Sequence, residues 1–363
     1  MARAPRSSRA RRHTRRLLLV LVPWLPLLLG GCSNLGFYLD SMNGHLDLMA
    51  RSRPLEEVLD DPATPPAVRQ RLSLAREARR FASEVLLLPD NGSYRSYADL
   101  GRPYAVWNVV ATEPYSVEAR QWCFLFTGCV AYRGYHERAS AEAFARELRA
   151  RGMDVSVSGA RAYSTLGWFD DPLLNTMLDL SEERFIAVIF HELAHQLVYV
   201  EDDTAFNEAL ATVIASEGVR RWYARQGEPG AYEAWRRARA READFHHLLA
   251  ETRENLAVLY AQPLAEAEMA RAKAAAFARL REDYRRWKSR WQNYAGYDAW
   301  MARPLNNAHL ALVATYHGYA PALSTLLAQS GGDLRRFYAR VEALAGMDAA
   351  TRRLALTRLV QKD

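Results

Sequence analysis

Hydrophobic positions follow a helical spacing over the first part of the chain and an alternating spacing over the next part. Residues 35–88 are predicted to be helical, with leucine and alanine at helical intervals and proline at first-turn positions. From about Tyr97 the residues are β-branched and aromatic, which favours strands. The predicted strands lie at 104–110, 123–132 and 154–158, with a helix at 139–151. This order predicts a small mixed sheet with one helix.

The remaining chain is predicted to be helical. Ser181 can cap a helix whose first turn holds Glu182 and Glu183, where the helix dipole favours acidic side chains. Residues 231–291 are interrupted only at Gln262-Pro263, which predicts two long antiparallel helices. Their mixture of arginine and glutamate is typical of a solvated helix face. Further helices are predicted at 204–226, at 306–329 and from 334 onward.

The net charge of the chain comes from its first residues. The chain of 363 residues has a formal charge of +6, but residues 1–31 hold seven arginines and no lysine or acidic residue. Beyond residue 31, 41 basic residues stand against 42 acidic ones, a net charge of −1. The basic character therefore does not indicate a nucleic-acid partner. Half hydrophobic and a quarter charged is the composition of a globular protein.

Residues 1–31 have the layout of a secretory signal peptide. An apolar run at 17–29 follows the arginines and is short for a membrane span of about 20 residues. Leu29-Gly30-Gly31-Cys32 resembles a bacterial lipobox, which implies a lipid on Cys32 that anchors the protein to a membrane. The adjacent Ser33 implies the periplasmic face of the outer membrane, in the bacterial cell envelope. The alternative is an ordinary cleaved signal with an incidental cysteine.

Two further cysteines, Cys123 and Cys129, are six positions apart, and Gly128 can supply a bend between them. In an exported protein such a pair can close a small disulfide loop. The alternative is two free, partly buried thiols. The separation of the two Cα atoms decides between these outcomes.

The main chemical signal is the motif His191-Glu192-Leu193-Ala194-His195, which follows an apolar run at 185–190. Two histidines four positions apart differ by about 40° around a helix of 3.6 residues per turn, so both imidazoles leave the same face. This spacing lets two side chains bind one Zn²⁺, with the intervening Glu192 left beside the metal. The motif predicts a metallopeptidase site in which Glu192 is the general base for zinc-activated water.

A catalytic zinc requires three protein ligands and one open position. Glu208 is the best third candidate, because residues 197–203 are long enough to reverse the chain. A helix that begins near Thr204 would then carry Glu208 back to the two histidines. The alternatives lie in the connection and suit helix capping or hydrogen bonds to the histidines. They are Glu201, Asp202 and Asp203.

Other steps of peptide hydrolysis require further groups. Tyr316 and Tyr163 are candidates for stabilising the oxyanion, and His317 is a weaker third. The alternative for each is a packed side chain without a catalytic role. Exopeptidase activity also requires a carboxylate that binds the α-ammonium group of the substrate. The acidic residues available for it are Glu201, Asp170 and Asp171.

Several segments carry a resemblance to a known family. They are Gly31-Cys32-Ser33, Phe37-Tyr38, Gly128–Tyr135, Ala162–Pro172, Phe190–Gln196, Phe206-Asn207-Glu208 and Asn306-Asn307-Ala308. They resemble the predicted zinc-dependent aminopeptidases found as bacterial lipoproteins, and Asn207-Glu208 is similar to the second half of gluzincin peptidase sites. The resemblance supports one zinc ion and leaves the substrate open.

The resemblance also implies roles for two segments outside the metal motif. In gluzincins an extended edge strand upstream of the metal helix pairs with the substrate backbone. The residues in that position here are Tyr163, Ser164, Thr165, Leu166 and Gly167. Asn307 would add polar contacts to the cleft. The structural alternatives are a strand-to-loop turn at 163–167 and a helix N-cap at Asn306 or Asn307.

These patterns predict an α+β fold that is mostly α-helical. A small mixed sheet with an edge strand packs on a zincin-type two-helix metal site, beside a long helical hairpin and C-terminal helices. The predicted segments are a signal peptide at 1–31, an N-terminal helical region at 32–96, a zincin-like catalytic core at 97–230 and a C-terminal helical region at 231–363. The predicted function is zinc-dependent hydrolysis of peptides, with aminopeptidase specificity implied by the resemblance. A zinc endopeptidase and a non-catalytic envelope lipoprotein that binds or scaffolds other proteins are the alternatives.

Overall fold

The computed structural model describes residues 42–124, 128–162, 169–313 and 318–360. The chain divides into two compact units, Met1–Ala50 and Arg51–Asp363. In the first unit residues 42–50 are helical, and the signal-peptide region with Cys32 lies outside the described residues. The segment boundaries expected at residues 97 and 231 stay predictions. All elements described below belong to the second unit.

Helices make up most of the second unit. The α-helices are α1 (Leu55–Asp60), α2 (Pro66–Glu84), α3 (Arg138–Ala150), α4 (Glu182–His195), α5 (Thr204–Gln226), α6 (Pro229–Tyr260), α7 (Glu266–Arg290), α8 (Asp298–Met301), α9 (Ala320–Gln329), α10 (Leu334–Ala345) and α11 (Ala349–Val360). The strands are β1 (Ser52–Pro54), β2 (Ser96–Ala98), β3 (Val106–Thr112), β4 (Trp122–Phe124), β5 (Gly128–Val130), β6 (Arg133–Tyr135), β7 (Asp154–Ala160) and β8 (Leu173–Leu174). The prediction of a mostly helical α+β fold is confirmed.

The strands form small sheets. β3 lies between β6 and β7 and is antiparallel to both, with Val109, Val110 and Ala111 buried. α3 packs against this sheet. In a second sheet β2 pairs antiparallel with β1 and parallel with β8, so this sheet is mixed. One small sheet is therefore mixed, and the helix packs on the other, antiparallel sheet.

The strand expected at 123–132 is a tight hairpin instead. β4 and β5 are antiparallel, with Cys123 directly opposite Cys129, and a disulfide joins the two residues. A disulfide across paired strands requires the chain to reverse between its cysteines, so one continuous strand is excluded here. Residues 125–127 lie outside the described part of the chain.

Two helices predicted as continuous are divided in the described residues. In place of a helix over 306–329, a 3₁₀ turn spans Asn307–His309 and α9 begins only at Ala320. The C-terminal helical region breaks at Gly346. Asp348 then starts the next helix by accepting hydrogen bonds from two backbone N–H groups, each at 3.0 Å. Helical periodicity was correct in these regions, but it did not reveal the breaks.

α4 and α5 pack closely against each other, and α4 also packs on α2. The side chains of Phe185, Phe190 and Phe206 are fully buried. The ring of Phe190 stacks on that of Phe81, with 5.8 Å between ring centroids. Gly218 of α5 permits the close approach, because a Cβ there would lie 2.5 Å from the Phe190 ring. The apolar run at the start of α4 is therefore the core of the helix pair.

α6 and α7 form the predicted helical hairpin, with residues 261–265 between them. Phe245, Leu256 and Leu280 belong to the buried core on this side of the molecule. Aromatic side chains extend this core, and the ring of Phe245 stacks on that of Tyr297 at 4.0 Å. Although α6 is 32 residues long, no helix among the described residues has both the length and the apolarity required to cross a bilayer.

A polar network joins the hairpin to the antiparallel sheet. Lys273 of α7 donates hydrogen bonds to Asp154 Oδ2 at 2.6 Å and to the carbonyl oxygen of Pro114 at 2.7 Å. The fully buried Asn307 uses the same two acceptors, with its backbone N–H on Asp154 at 3.0 Å and its Nδ2 on Pro114 at 3.0 Å. Shared acceptors of this kind fix the hairpin to the start of β7.

A buried ion pair ties α11 to the start of α5. Arg352 is 4% exposed and contacts Asp203 Oδ2 through Nε at 2.8 Å and Nη2 at 2.7 Å. Asp203 is also the N-cap of α5, since its side chain accepts a hydrogen bond from the backbone N–H of Phe206 at 3.1 Å. The guanidinium of Arg352 lies over the Phe206 ring, 5.5 Å from its centroid. The C-terminal helix therefore stabilises the first turn of α5.

Replacing Arg352 with alanine is expected to lower the free energy of unfolding by about 3 kcal/mol, because it leaves Asp203 largely buried without its counter-ion. Chemical denaturation followed by circular dichroism measures this change. Arg353→Ala, at the neighbouring exposed position of the same helix, is the matched control and should change stability by less than about 0.5 kcal/mol. Equal effects of the two substitutions would show that the ion pair does not hold α11 to α5.

Candidate metal centre

α4 presents both motif histidines on one face, as their spacing predicts. Ile186, Ile189 and Phe190 are fully buried and fix the orientation of the helix. Its last turn then places His191 and His195 beside each other, with ring planes almost perpendicular and 3.2 Å between the two Nε2 atoms. His195 is buried and His191 is partly exposed.

The connection between α4 and α5 is held by Asn207, the residue before Glu208. Its Oδ1 accepts a hydrogen bond from the backbone N–H of Val200 at 2.9 Å, and its Nδ2 donates to the carbonyl oxygen of Val200 at 2.7 Å. Asp202 has a φ of 60°, in the left-handed region, at the turn into α5. The two neighbouring residues thus have different roles: Asn207 fixes the connection, and Glu208 faces the histidines.

Glu208 brings its carboxylate to both histidines. Its Oε2 lies 3.3 Å from His191 Nε2, and its Oε1 lies 3.7 Å from His195 Nε2. Tetrahedral ligands at about 2.0–2.1 Å from a zinc ion lie about 3.3–3.4 Å from one another. The separations of the ligand atoms here match that geometry without rearrangement of either helix. The three side chains could therefore hold a metal ion.

Within the described residues, no further histidine, cysteine, aspartate or glutamate belongs to this group. Three protein ligands leave one coordination position open, whereas structural zinc sites are normally closed by a fourth. The three alternatives to Glu208 lie elsewhere. Glu201 and Asp202 are exposed, and Asp203 caps α5 and pairs with Arg352.

The charges of the group set its protonation when no metal is bound. Burial lowers the pKa of His191, but the hydrogen bond to Glu208 and the negative charges of Glu192 and Glu208 outweigh this effect, and the net pKa is raised. Burial and then the charge of His191 lower the pKa of His195 to about 4. Burial raises the pKa of Glu208, but the hydrogen bond with His191 and the charges of both histidines lower it overall. Of the three groups, His191 therefore keeps its proton to the highest pH when no metal is bound.

Two tyrosines with electrostatic interactions with the site were not among the candidate site residues predicted from the sequence. Burial, and then the negative charges of Glu208, Tyr199 and Glu192, raise the pKa of Tyr132, which follows β5 and is 43% exposed. Burial, and then the charges of Glu192 and Asp171, raise the pKa of Tyr94. The Tyr94 hydroxyl is buried and has no hydrogen-bond partner among the described residues. The cysteine pair just before Tyr132 was the sequence feature that could have drawn attention to this tyrosine. No sequence feature marked Tyr94.

Several predicted site residues fall outside the described residues. They are Tyr163, Ser164, Thr165, Leu166, Gly167, Tyr316 and His317. Asn307 is described and does not join the metal group. It is fully buried, its Oδ1 accepts a hydrogen bond from Tyr260 at 2.8 Å and its Nδ2 is bonded to Pro114. Asn306 caps the 3₁₀ turn, so these asparagines hold structural positions.

A cleft of about 350 Å³ opens beside His191 and Glu192. Three helices contribute Ala187, Val188, Ala215 and Trp235 to its apolar lining, and Ala162 and Leu180 complete it. Its charged lining consists of Arg161, Arg184, Arg239 and Glu242. The last two lie on α6, where the sequence predicted a solvated face. Periodicity shows which residues share a helix face but not which element packs opposite that face. In α6, part of the face predicted to be solvated lines the cleft.

The fold and the site define a mostly helical α+β protein with a group that could hold a metal ion at the side of a cleft. The chain belongs to the family described as "Putative aminopeptidase", whose model matches residues 36–356. Membership supports a peptidase, and an aminopeptidase in particular. No curated protein and no solved structure gives a significant match to the chain.

Binding of Zn²⁺, used as a probe ion, is expected to release one proton per ion at pH values below the raised pKa of His191. His195 is neutral above about pH 4 and releases none. Affinity should therefore fall about tenfold per pH unit as the pH decreases below the pKa of His191. Calorimetry in buffers of different ionisation enthalpy measures the proton count.

Glu208→Ala is the companion variant. It removes a ligand and the charge that raises the pKa of His191, so both the affinity for Zn²⁺ and the number of protons released should decrease. Release of two protons per ion in the original protein would contradict the assigned protonation. A normal metal content in Glu208→Ala would exclude Glu208 as a ligand.

Proposed function

We propose that the protein is a zinc-dependent peptidase whose single zinc ion is held by His191, His195 and Glu208. The observation that carries the proposal is the convergence of their ligand atoms, at 3.2–3.7 Å, beside a cleft. Imidazole nitrogen and carboxylate oxygen are ligands that zinc accepts. The family description supports a peptide as the substrate.

Glu192 is the proposed general base. Zinc held by the three ligands would lower the pKa of a coordinated water and polarise the scissile carbonyl group. Glu192 follows His191 directly and lines the cleft without belonging to the ligand group. Its carboxylate can therefore accept a proton from the attacking water and deliver it to the leaving amine.

The oxyanion and the substrate backbone require further groups. Tyr163 and Tyr316 remain the proposed donors to the oxyanion. Residues 163–167 remain the proposed substrate strand. They come shortly after β7, which is an edge strand of its three-stranded sheet, and this supports their role in backbone pairing.

A non-catalytic role is disfavoured by the composition of the metal group. A structural zinc site would have a fourth protein ligand, commonly a cysteine. Among the described residues the group has three ligands, and the described cysteines are joined to each other. The open position and the adjacent cleft support hydrolysis over a purely structural role.

Glu192→Gln is expected to retain zinc and to lose about 10²–10⁴-fold in kcat, because the amide cannot accept the proton. Hydrolysis of a leucine anilide and of an internally quenched, N-blocked peptide provides the measurement, with metal content determined in parallel. Glu254→Gln, the same change at an exposed position of α6, is the control and should keep full activity.

The two substrates also separate exopeptidase from endopeptidase activity. Cleavage of the anilide supports the aminopeptidase proposal, and cleavage of the blocked peptide alone would assign an endopeptidase. Unchanged hydrolysis by Glu192→Gln would remove this residue from the mechanism.

The lipobox-like segment supports a place in the bacterial cell envelope. We propose that a lipid on Cys32 anchors the protein to the periplasmic face of the outer membrane. The Cys32 thiol is the attachment point of the proposed lipid, so the protein should incorporate a labelled fatty acid and Cys32→Ala should not. Immunoprecipitation after labelling tests this outcome, and an unlabelled original protein, or equal labelling of Cys32→Ala, would refute the anchor.

A further inference from the structure

The cleft beside the metal group has a wall of charged side chains that the proposed mechanism does not use. Arg184 comes from α4, Arg239 and Glu242 come from α6, and Arg161 follows β7. These residues share one cleft of about 350 Å³ with His191 and Glu192. A peptide whose scissile bond lies at the metal group would therefore place its adjacent residues beside the charged wall.

Glu242 organises two of the arginines. Its Oε2 accepts a hydrogen bond from Arg239 Nη1 at 2.7 Å and lies 3.3 Å from Arg184 Nη2. Burial raises the pKa of Glu242, but the charges of Arg239, Arg184 and His246 outweigh it and keep the carboxylate ionised. Each arginine gives one terminal nitrogen to Glu242. A guanidinium has five N–H donors, and Arg184 and Arg239 are 52% and 34% exposed.

The charge of this wall is positive. Three guanidinium groups and one carboxylate give a net charge of +2. Asp179 lies 3.7 Å from Arg161 but is 85% exposed, so solvent screens it. A divalent ion at the metal group would be balanced by Glu208 and Glu192. The excess positive charge of the wall therefore remains for a ligand to neutralise.

An anion fits this wall better than an ammonium group does. The α-ammonium of a substrate could approach Glu242 only beside Arg184 and Arg239, against their repulsion. A carboxylate can accept planar, paired hydrogen bonds from a guanidinium. The apolar side chains of Ala187, Val188 and Trp235 leave room for the methylene groups that carry it.

We propose that the cleft formed by Arg161, Arg184, Arg239 and Glu242 binds a carboxylate of the peptide substrate. The inference rests on the proposed peptidase function, because that function identifies the ligand as a peptide. The carboxylate belongs either to an acidic side chain or to the C-terminal end of a short peptide. Glu242 holds the guanidinium groups in place, and the arginines select the substrate.

Three pairs of dipeptides test the proposal with the zinc-loaded protein. Leu-Glu-amide against Leu-Gln-amide and Glu-Leu-amide against Gln-Leu-amide compare acidic with neutral side chains. Leu-Gln against Leu-Gln-amide compares a charged with a neutral C-terminal end. We expect the charged member of one pair to be preferred about tenfold or more in kcat/KM. The pair that shows the preference identifies the source of the carboxylate.

Variants then assign the preference to the wall. Arg239→Gln and Arg184→Gln should each bring the ratio of charged to neutral substrate close to one. Arg236→Gln is the matched control, since Arg236 lies on the same helix beside Glu233 and outside the cleft, and it should retain the ratio. Should Arg239→Gln not fold, Arg184→Gln at the more exposed position provides the same test.

Two results would overturn the proposal. The first is a kcat/KM that does not depend on substrate charge in any of the three pairs. A preference for the charged substrate that both arginine variants retain would count equally against the proposal. The other concerns Glu242→Gln, which should weaken the preference because Arg184 and Arg239 lose the carboxylate that holds them in place. If this variant instead slowed Leu-Gln-amide and left N-acetyl-Leu-Gln-amide unaffected, Glu242 would bind the substrate's ammonium group.

The charge preference remains measurable if the peptidase proposal fails. Calorimetric titration of the same dipeptide pairs into the zinc-loaded protein gives dissociation constants without turnover. Binding that favours the charged member, without cleavage, would support the carboxylate site and refute hydrolysis. Cleavage without a charge preference would support hydrolysis and refute the carboxylate site.

Discussion

The packing of α4 against α5 is the constraint on which the rest of the site depends. Gly218 and the buried phenylalanines let the two helices approach closely, and Asn207 fixes the connection between them. Metal–ligand distances tolerate only about 0.2 Å of variation. The separation of Glu208 from the two histidines must therefore be set by a rigid core, and the apolar run ahead of the motif supplies it.

The parts of the site that depend on nearby residues were predictable from the sequence. The common face of His191 and His195 follows from helical geometry alone. The return of Glu208 follows from a connection that is long enough to reverse the chain. The disulfide between Cys123 and Cys129 was left open, because sequence spacing does not give the distance between two Cα atoms. The helical hairpin was predictable from its single proline interruption.

The parts that depend on distant residues were not predictable. Arg161, Arg184 and Arg239 come from three separate parts of the chain, and no local pattern brings them to one cleft. The arginine and glutamate of α6 have the composition of a solvated face, and only tertiary packing shows that some of them line a cavity. For Asn307 the sequence left a cleft contact and a structural position open, and only the fold shows that this residue is bonded to Pro114, Asp154 and Tyr260.

The ion pair between Arg352 and Asp203 makes the helix that carries Glu208 depend on a distant part of the sequence. Every ligand has been synthesised by residue 208, yet the counter-ion of the α5 N-cap belongs to the last described helix. A nascent or prematurely terminated chain thus contains all three ligands while the first turn of their second helix lacks its support. The stability of the helix that carries Glu208 therefore depends on a residue far beyond the last ligand in the sequence.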